Sequence, residues 1–340
     1  MQVMAAMSGG VDSSVAAALL AQDGHEVVGV TMKLWGGPSD TGCCSVADVV
    51  DARRVADALG IDHHVFNFGE DFSARVVGPY VADHAAGRTP NPCVECNRHI
   101  KFDRLLRRAE ALGFDAVATG HHARVVQRPD GTRRLARGAD AAKDQSYVLY
   151  MLSQEALARV LLPVGDSTKD RVRMLAAELG LRTASKPDST DVCFIQRGAR
   201  REFLSERLET TPAVVVDTAG HRLGGIPAVQ LVTLGQRKGL GVGGRERPVY
   251  VVDTDIAAGV VTVGDPADLL TDDQVVSNLT WAGEPVRGPV LVQTSAHGTP
   301  RPATLDGTRV RWHEPQRRVA PGQSMVFYEG PEVLGGGTAA

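Results

Sequence analysis

Val3-Met4-Ala5-Ala6-Met7-Ser8-Gly9-Gly10-Val11-Asp12-Ser13-Ser14 is the stretch whose reading decides the fold. The apolar run Val3 to Met7 suits a buried strand, the glycine pair a tight turn, and Val15-Ala16-Ala17-Ala18-Leu19-Leu20 a helix. Gly9 and Gly10 can take positive φ and let an anion approach with no Cβ in its path. The helix leaves its first N–H groups unpaired at the positive end of its dipole, where an oxyanion belongs. Ser8, Ser13 and Ser14 add hydroxyl donors around the same point. Two roles are open for Asp12: orienting a metal ion or a loop amide, or acting as a helix-capping carboxylate.

The loop is not a Walker A, because no Gly-Lys-Ser/Thr follows it, and it is not the Gly-x-Gly-x-x-Gly of dinucleotide folds. Ser-Gly-Gly alone would read as a capped helix after a turn. With Asp12-Ser13-Ser14 added behind a strand, it resembles the pyrophosphatase (PP) loop of enzymes that split ATP between the α and β phosphates. The resemblance implies an ATP site made by Ala6, Met7, Ser8, Gly9, Gly10, Val11, Asp12, Ser13 and Ser14. Such a loop grips pyrophosphate while AMP passes to a carbonyl oxygen.

Outward from the loop, strands and helices alternate. Glu26 to Met32 reads as a second buried strand, Val46 to Leu59 as a helix stopping at Gly60, and His64 to Asn67 as a third strand. Ile100 to Leu112 reads as an amphipathic helix ending at Gly113, and Ala116 to Gly120 as a fourth strand. This order implies right-handed crossovers and a parallel sheet, with ligands at the carboxyl ends of the strands, where Ser8, Met32 and Gly120 fall. Ala123 to Gln127 and Arg133 to Arg137 look like a hairpin. Helices resume at Gln154 to Val160 and after Ser167, which makes a weak capping box with Asp170.

Beyond about residue 200 the chain changes to short Val/Ile/Thr-rich runs between Gly and Pro, which suggest small antiparallel barrels or sandwiches. These runs are Val214 to Val216, Val229 to Thr233, Val249 to Val252, Val260 to Val263, Val290 to Thr294, Arg309 to Trp312 and Met325 to Tyr328. The expected organisation is an α/β parallel-sheet PP-loop domain, adenine nucleotide alpha hydrolase-like, over 1–198, followed by two small β domains. The central β-rich domain covers 199–271 and the C-terminal β-barrel 272–332, divided near Thr271-Asp272-Asp273, and the glycine-rich 333–340 reads as a disordered tail.

At 340 residues, 43% apolar and 23% charged, the composition is that of a multi-domain globular protein. There is no apolar run long enough for a membrane span and no basic n-region, so the expectation is a cytoplasmic protein with no membrane partner. A net charge of −3 requires any RNA-binding surface to be a local patch. Five cysteines without an export signal argue for thiol or metal chemistry and against a disulfide framework.

Thr89-Pro90-Asn91-Pro92-Cys93-Val94-Glu95-Cys96-Asn97 is a proline-stiffened loop leading into the basic helix Arg98 to Arg108. A cysteine at that helix start, near Arg98 and Lys101, has its thiolate favoured. Cys-x-x-Cys by itself is open between metal ligands and a redox pair. Cys193, between Val192 and Phe194, reads by itself as a packing residue. Cys43-Cys44 reads as structural, with Ser45 as a helix N-cap.

Further segments complete a pattern: Ile100-Lys101-Phe102, Thr119-Gly120-His121-His122, Lys143-Asp144-Gln145-Ser146-Tyr147, Lys186-Pro187-Asp188-Ser189, Leu234-Gly235-Gln236-Arg237-Lys238-Gly239 and Ala320-Pro321-Gly322-Gln323. Together with the PP loop and the cysteine segments they resemble the bacterial tRNA-specific 2-thiouridylase family along the whole chain. The resemblance implies that ATP adenylates the 2-carbonyl oxygen of a wobble uridine and that sulfur from a cysteine persulfide replaces it, releasing AMP. Cys193 would hold the persulfide, and Cys96 would release its sulfur or close a disulfide with it. Met32 and Gly120 would line the adenosine, and Mg²⁺ would offset phosphate charge. The partners are tRNA with a wobble uridine and a sulfur donor, either a cysteine desulfurase or a sulfur relay protein.

The same resemblance places His121, Lys143, Asp144, Gln145 and Gln323 against tRNA. Gln236-Arg237-Lys238-Gly239 looks like a glycine-flexed basic loop for RNA backbone, so Arg237 and Lys238 join that set. Arg98, Lys101, Arg104, Arg107 and Arg108 recur at spacings that suit either a phosphate-binding or an ordinary solvated helix face. An Asp often stands in the family where this chain has Cys93, so that residue's acid–base role does not carry over. Cys93, Cys96 and Cys193 form a three-thiol set that could instead ligate a [4Fe–4S] cluster. Two rivals remain: a PP-loop pyrophosphatase that adenylates a small metabolite without using thiols, and an RNA-binding or iron–sulfur carrier protein with a vestigial nucleotide site.

Overall fold

The computed structural model describes residues 1–35, 45–188, 192–196, 198–243 and 247–340. Cys43 and Cys44 lie outside the described residues. The first part of the chain contributes β1 (Gln2–Ala6), β2 (Glu26–Lys33), β3 (His63–Asn67), β4 (Ala116–Ala118), β5 (Ala123–Gln127), β6 (Arg133–Arg137) and β7 (Val160–Leu161). Five of these form a parallel sheet in the order β3-β2-β1-β4-β7. The period-2 alternation of β1 explains its unbroken apolar sequence: Val3 and Ala5 join one core, Met4 and Ala6 the other. The helix Val11–Gln22 packs on the first face with Val46–Leu59 and Lys169–Glu178. Ser45 caps Val46–Leu59 as expected, accepting the Asp48 N–H at 3.1 Å. The Lys169 helix is capped by Thr168, not Ser167, because the residue directly before the first helical turn has the extended backbone that a cap needs.

The expected helix Ile100 to Leu112 is built differently. A short α-helix, Pro92–Cys96, runs into a π-helical stretch, Asn97–Arg104, and returns to α-helix at Leu105–Ala111. The wider winding breaks the 3.6-residue register on which a single basic face depends. Arg98 turns to Glu95 and the Tyr150 ring, Arg104 to Asp71 and the Phe68 ring, Arg107 to Asp103, and Arg108 to the Phe66 ring. Lys101 alone of the five lines the cavity described below.

The central domain holds β8 (Ala213–Asp217), β9 (Arg222–Ile226), β10 (Tyr250–Asp255) and β11 (Val260–Gly264), in the order β10-β11-β8-β9 with β11 and β8 parallel. Val229–Leu231, read as part of a strand, is one turn of 3₁₀ helix with Val229 fully buried. The last domain is a closed six-stranded barrel of β12 (Leu270–Trp281), β13 (Gly288–Gln293), β14 (Arg301–Asp306), β15 (Arg309–Arg317), β16 (Ser324–Glu329) and β17 (Glu332–Ala339). The chain passes from the central sheet to the barrel between β11 and β12, a few residues before the expected division at Thr271-Asp272-Asp273, which itself marks a register shift within β12.

The expected disordered tail 333–340 is instead the closing strand of the barrel, pairing with β16 and β12. Its glycines suit close packing here: a Cβ on Gly336 would fall 2.7 Å from the Met325 carbonyl oxygen and from the Tyr150 ring. Missing side chains imitated disorder where the barrel requires none.

Both β domains grip the first. The β5–β6 hairpin joins the edge of β17 through Ala136 and Glu332, and Val326, Tyr328 and Val333 share a core with Val94, Phe102, Tyr147 and Leu149. Thr89, just before the cysteine segment, donates its N–H to Pro321 O at 2.7 Å, accepts the Gln323 amide on its carbonyl, and donates its hydroxyl to Thr233 at 3.3 Å.

Candidate active site

At the carboxyl ends of β1, β2 and β4 lies a cavity of about 580 Å³. Ser8, Gly10, Val11, Asp12 and Ser13 line one wall, with Ala6, Met7, Met32 and Gly120 beside them. Gly9 takes φ +71°, and any Cβ there would strike the Asp48 backbone. Gly10 caps the helix Val11–Gln22 with no side-chain bond, so the first amides stay available for an anion. The Ser13 hydroxyl accepts the Ser8 N–H at 3.1 Å and lies 3.3 Å from the Ser8 hydroxyl. Ser14 departs from expectation: it is fully buried, donates to Gly10 O at 2.8 Å and does not line the cavity. One residue further along the helix, its side chain turns into the core.

Cys93, Cys96 and Cys193 line the same cavity, although Cys96 and Cys193 stand 97 positions apart in sequence. Cys96 is buried, Cys193 half-buried and Cys93 exposed. Phe194 holds Cys193 in place: its ring packs 5.5 Å from those of Phe72, Tyr80 and Phe203 and 6.1 Å from Trp35. Asn91 starts the Cys93–Cys96 helix by accepting the Cys93 N–H at 3.1 Å. Among the described residues no group of three or more His, Cys, Asp or Glu is placed to hold a metal ion.

Ion pairs close the floor of the cavity. Asp12 accepts from Lys169 at 2.6 and 2.7 Å and faces His122 at 3.0 Å. Burial pushes the Asp12 pKa up, but the bonds from His122 and Lys169 outweigh it and leave it lowered. Asp12 is therefore an ion-pair partner of Lys169 as well as a residue of the cavity wall. Asp188 binds Lys143 at 2.9 Å, Lys169 at 2.9 Å and Arg173 at 2.7 Å; against the effect of burial, the two lysines hold its pKa at about 2. Lys186 bridges Asp48 and Asp51 at 2.7 and 2.8 Å.

His121 lies in the cavity wall with Thr119 Oγ1 2.7 Å from its Nδ1. Burial, with Lys101 and His122 nearby, holds its pKa well below 6.5, so the ring is neutral. Lys143 and Gln145 also line the cavity, with Gln145 Oε1 accepting the His122 N–H at 2.8 Å. Asp144 is different. Its carboxylate is used by Arg137, the Gly138 and Ser146 amides and the Ser146 hydroxyl, all at 2.8 to 3.0 Å. It lines the cavity beside Lys143 and Gln145, nearly buried, and these bonds hold its carboxylate in place. Gln323 sits on the Thr89 carbonyl at the domain seam, and Arg237 and Lys238 are exposed on the central domain, outside the cavity. Sequence reading gave no role to Lys169, His122, Asp48 or Lys186, although His122 and Lys186 lie in segments that carry the family resemblance. Their types are common, and only the fold brings them together.

Fold and site define a PP-loop nucleotide domain carrying two β domains. The chain matches, in order, the tRNA methyl transferase HUP domain over residues 1–197, the tRNA methyl transferase PRC-barrel domain over 201–265 and the aminomethyltransferase beta-barrel domain over 275–339. It is 47% identical to the tRNA-specific 2-thiouridylase MnmA of Carboxydothermus hydrogenoformans, over 99% of this chain and 97% of that protein. It is 46% identical to the one from Streptomyces coelicolor, over 100% of this chain and 95% of that protein. The chain belongs to the tRNA-specific 2-thiouridylase MnmA family. Among solved structures it is similar to the U34-tRNA thiolase NcsA from Methanococcus maripaludis, with 19% identity, a TM-score of 0.37, and 61% of this chain and 62% of that one covered. No helix among the described residues is long and apolar enough to cross a membrane.

Proposed function

We propose that this protein is a cytoplasmic, ATP-dependent tRNA-uridine 2-sulfurtransferase. The observation that carries the reading is the meeting of Cys96 and Cys193 in one cavity with the Ser8–Ser13 turn. The open amides of Val11–Gln22 and the Ser8 and Ser13 hydroxyls suit the departing pyrophosphate, and Met32 and Gly120 suit the adenosine. The uracil 2-oxygen attacks the α-phosphorus, pyrophosphate leaves, and the oxygen becomes part of an AMP leaving group. The terminal sulfur of a Cys193 persulfide attacks the activated carbon, and AMP departs. Cys96 attacks the Cys193 sulfur, which leaves 2-thiouridine and a Cys96–Cys193 disulfide for an external thiol to reduce. Mg²⁺ would enter with the ATP phosphates, since the Asp12 carboxylate is already paired with Lys169. A small-metabolite pyrophosphatase would have no use for the two thiols.

His121, Lys143 and Gln145 in the wall, Arg237 and Lys238 outside it, and Gln323 at the seam are the candidate tRNA contacts. Neutral His121 can bond a base edge without adding charge. The deciding experiment is mass spectrometry of a tRNA transcript incubated with protein, ATP, a persulfide donor and reductant. The expected result is oxygen-to-sulfur exchange in wild type, none in Cys96→Ser or Cys193→Ser, and retention within about threefold in Cys93→Asp. Full thiolation by either Ser variant would refute the assignment.

A further inference from the structure

Lys169 has no part in the chemistry above, yet its setting is costly. Its side chain is 9% exposed, with the ammonium clamped between Asp12 and Asp188. It is also the first residue of the helix Lys169–Glu178, so a cation stands at the positive end of a dipole. A buried ion pair loses more to desolvation than an apolar residue of the same size would, and the dipole adds to that loss. Stability alone does not account for the arrangement. What Lys169 joins does: Asp12 lies in the first turn after the PP loop, and Asp188 stands five residues before Cys193. Lys143, at the cavity mouth, is held by the same Asp188 carboxylate.

We propose that Lys169 is a positioning residue that ties the PP loop to the segment carrying Cys193, so that the adenylated uridine and the sulfur donor face each other. The inference rests on the sulfurtransferase reading above. Adenylation needs only the PP loop, ATP and the tRNA base. Sulfur attack needs Cys193 in register with that base. Without Lys169 the first step continues, and water takes the place of sulfur at the activated carbon: adenylated uridine plus water returns uridine and AMP, with no change in oxidation state.

The test measures AMP released and 2-thiouridine formed in the same reaction with ATP, tRNA transcript, a persulfide donor and reductant. Wild type is expected near one AMP per thiouridine. Lys169→Met should raise that ratio about fivefold or more, and Lys169→Arg, whose fork can span both carboxylates, should restore it to within about twofold. Asp188→Asn, which leaves Lys169 on Asp12, should raise the ratio too, and the double variant should exceed neither single. A ratio near one in Lys169→Met and Asp188→Asn, or parallel loss of AMP and thiouridine in both, overturns the inference while the wild-type reading stands. A wild type that makes no 2-thiouridine overturns the reading and the inference together.

Discussion

Single side chains set the reach of the site. Cys193 is followed directly by Phe194, whose ring fills an aromatic nest with Phe72, Tyr80 and Phe203. Tyr80 in turn lies 4.5 Å from the ring of His84, a buried histidine with Nδ1 2.8 Å from the Arg88 carbonyl oxygen and Nε2 3.2 Å from Arg200. Burial and the Arg200 charge push the His84 pKa from 6.5 to about 4. The folded protein thus keeps a neutral ring that the unfolded chain protonates below about pH 6.5. Stability is full above that value and declines as pH falls toward 4. Thermal melts across this interval should fall in wild type and flatten in His84→Gln; equal slopes would remove His84 as the cause. Gly120 acts by absence. A Cβ there would stand 2.5 Å from the Ser13 amide nitrogen, at the mouth of the nucleotide loop. Gly120→Ala should cost about 1–3 kcal/mol in chemical denaturation. It should also raise the KM for ATP more than that for tRNA, read from initial rates of AMP release.

At the scale of elements, caps and windings decide direction. Thr168 accepts the Arg171 N–H at 3.3 Å and so fixes where the Lys169 helix begins. Thr168→Ala should lower unfolding free energy by about 1 kcal/mol, measured by urea titration, with the loss recovered in Thr168→Ser. The π-helical Asn97–Arg104 stretch shows why the basic residues of that segment do not share one face. Their spacing was legible in the sequence, but a register counted at 3.6 residues per turn fails once the winding widens. The same stretch brings Lys101 Nζ within 3.5 Å of His121 Nε2.

For the molecule as a whole, closure matters most. The barrel closes only because β17 carries Gly335 to Gly337 between β12 and β16, against Tyr150 of the first domain. Gly336→Val should therefore unseat the strand and the domain contact together. A loss of about 1–3 kcal/mol is expected by calorimetry, with faster proteolysis between the domains. Unchanged melting would mean that the strand is not close-packed there. The seam at Thr89 has the same character: it ties the loop before Cys93 to Thr233 of the central domain and Pro321 of the barrel.

By itself the sequence determined the parallel sheet, the glycine turn and the run of short strands after it. Those features are local: an apolar alternation, two glycines before a helix former, and Val-rich runs between turn residues each state their structure within a few positions. The motif thiols were legible as types, and their family pattern was legible along the whole chain. Only the tertiary structure decided that Cys193 shares a cavity with Cys96, that Ser14 faces the core, that Asp144 is bonded to Arg137, Gly138 and Ser146, and that the glycine-rich end is a barrel strand. The shared cavity of the two thiols and the closing strand depend on groups far apart in the chain, where packing is settled between partners that no local window contains; the Ser14 and Asp144 contacts are near in sequence but turn on backbone geometry that residue types do not state.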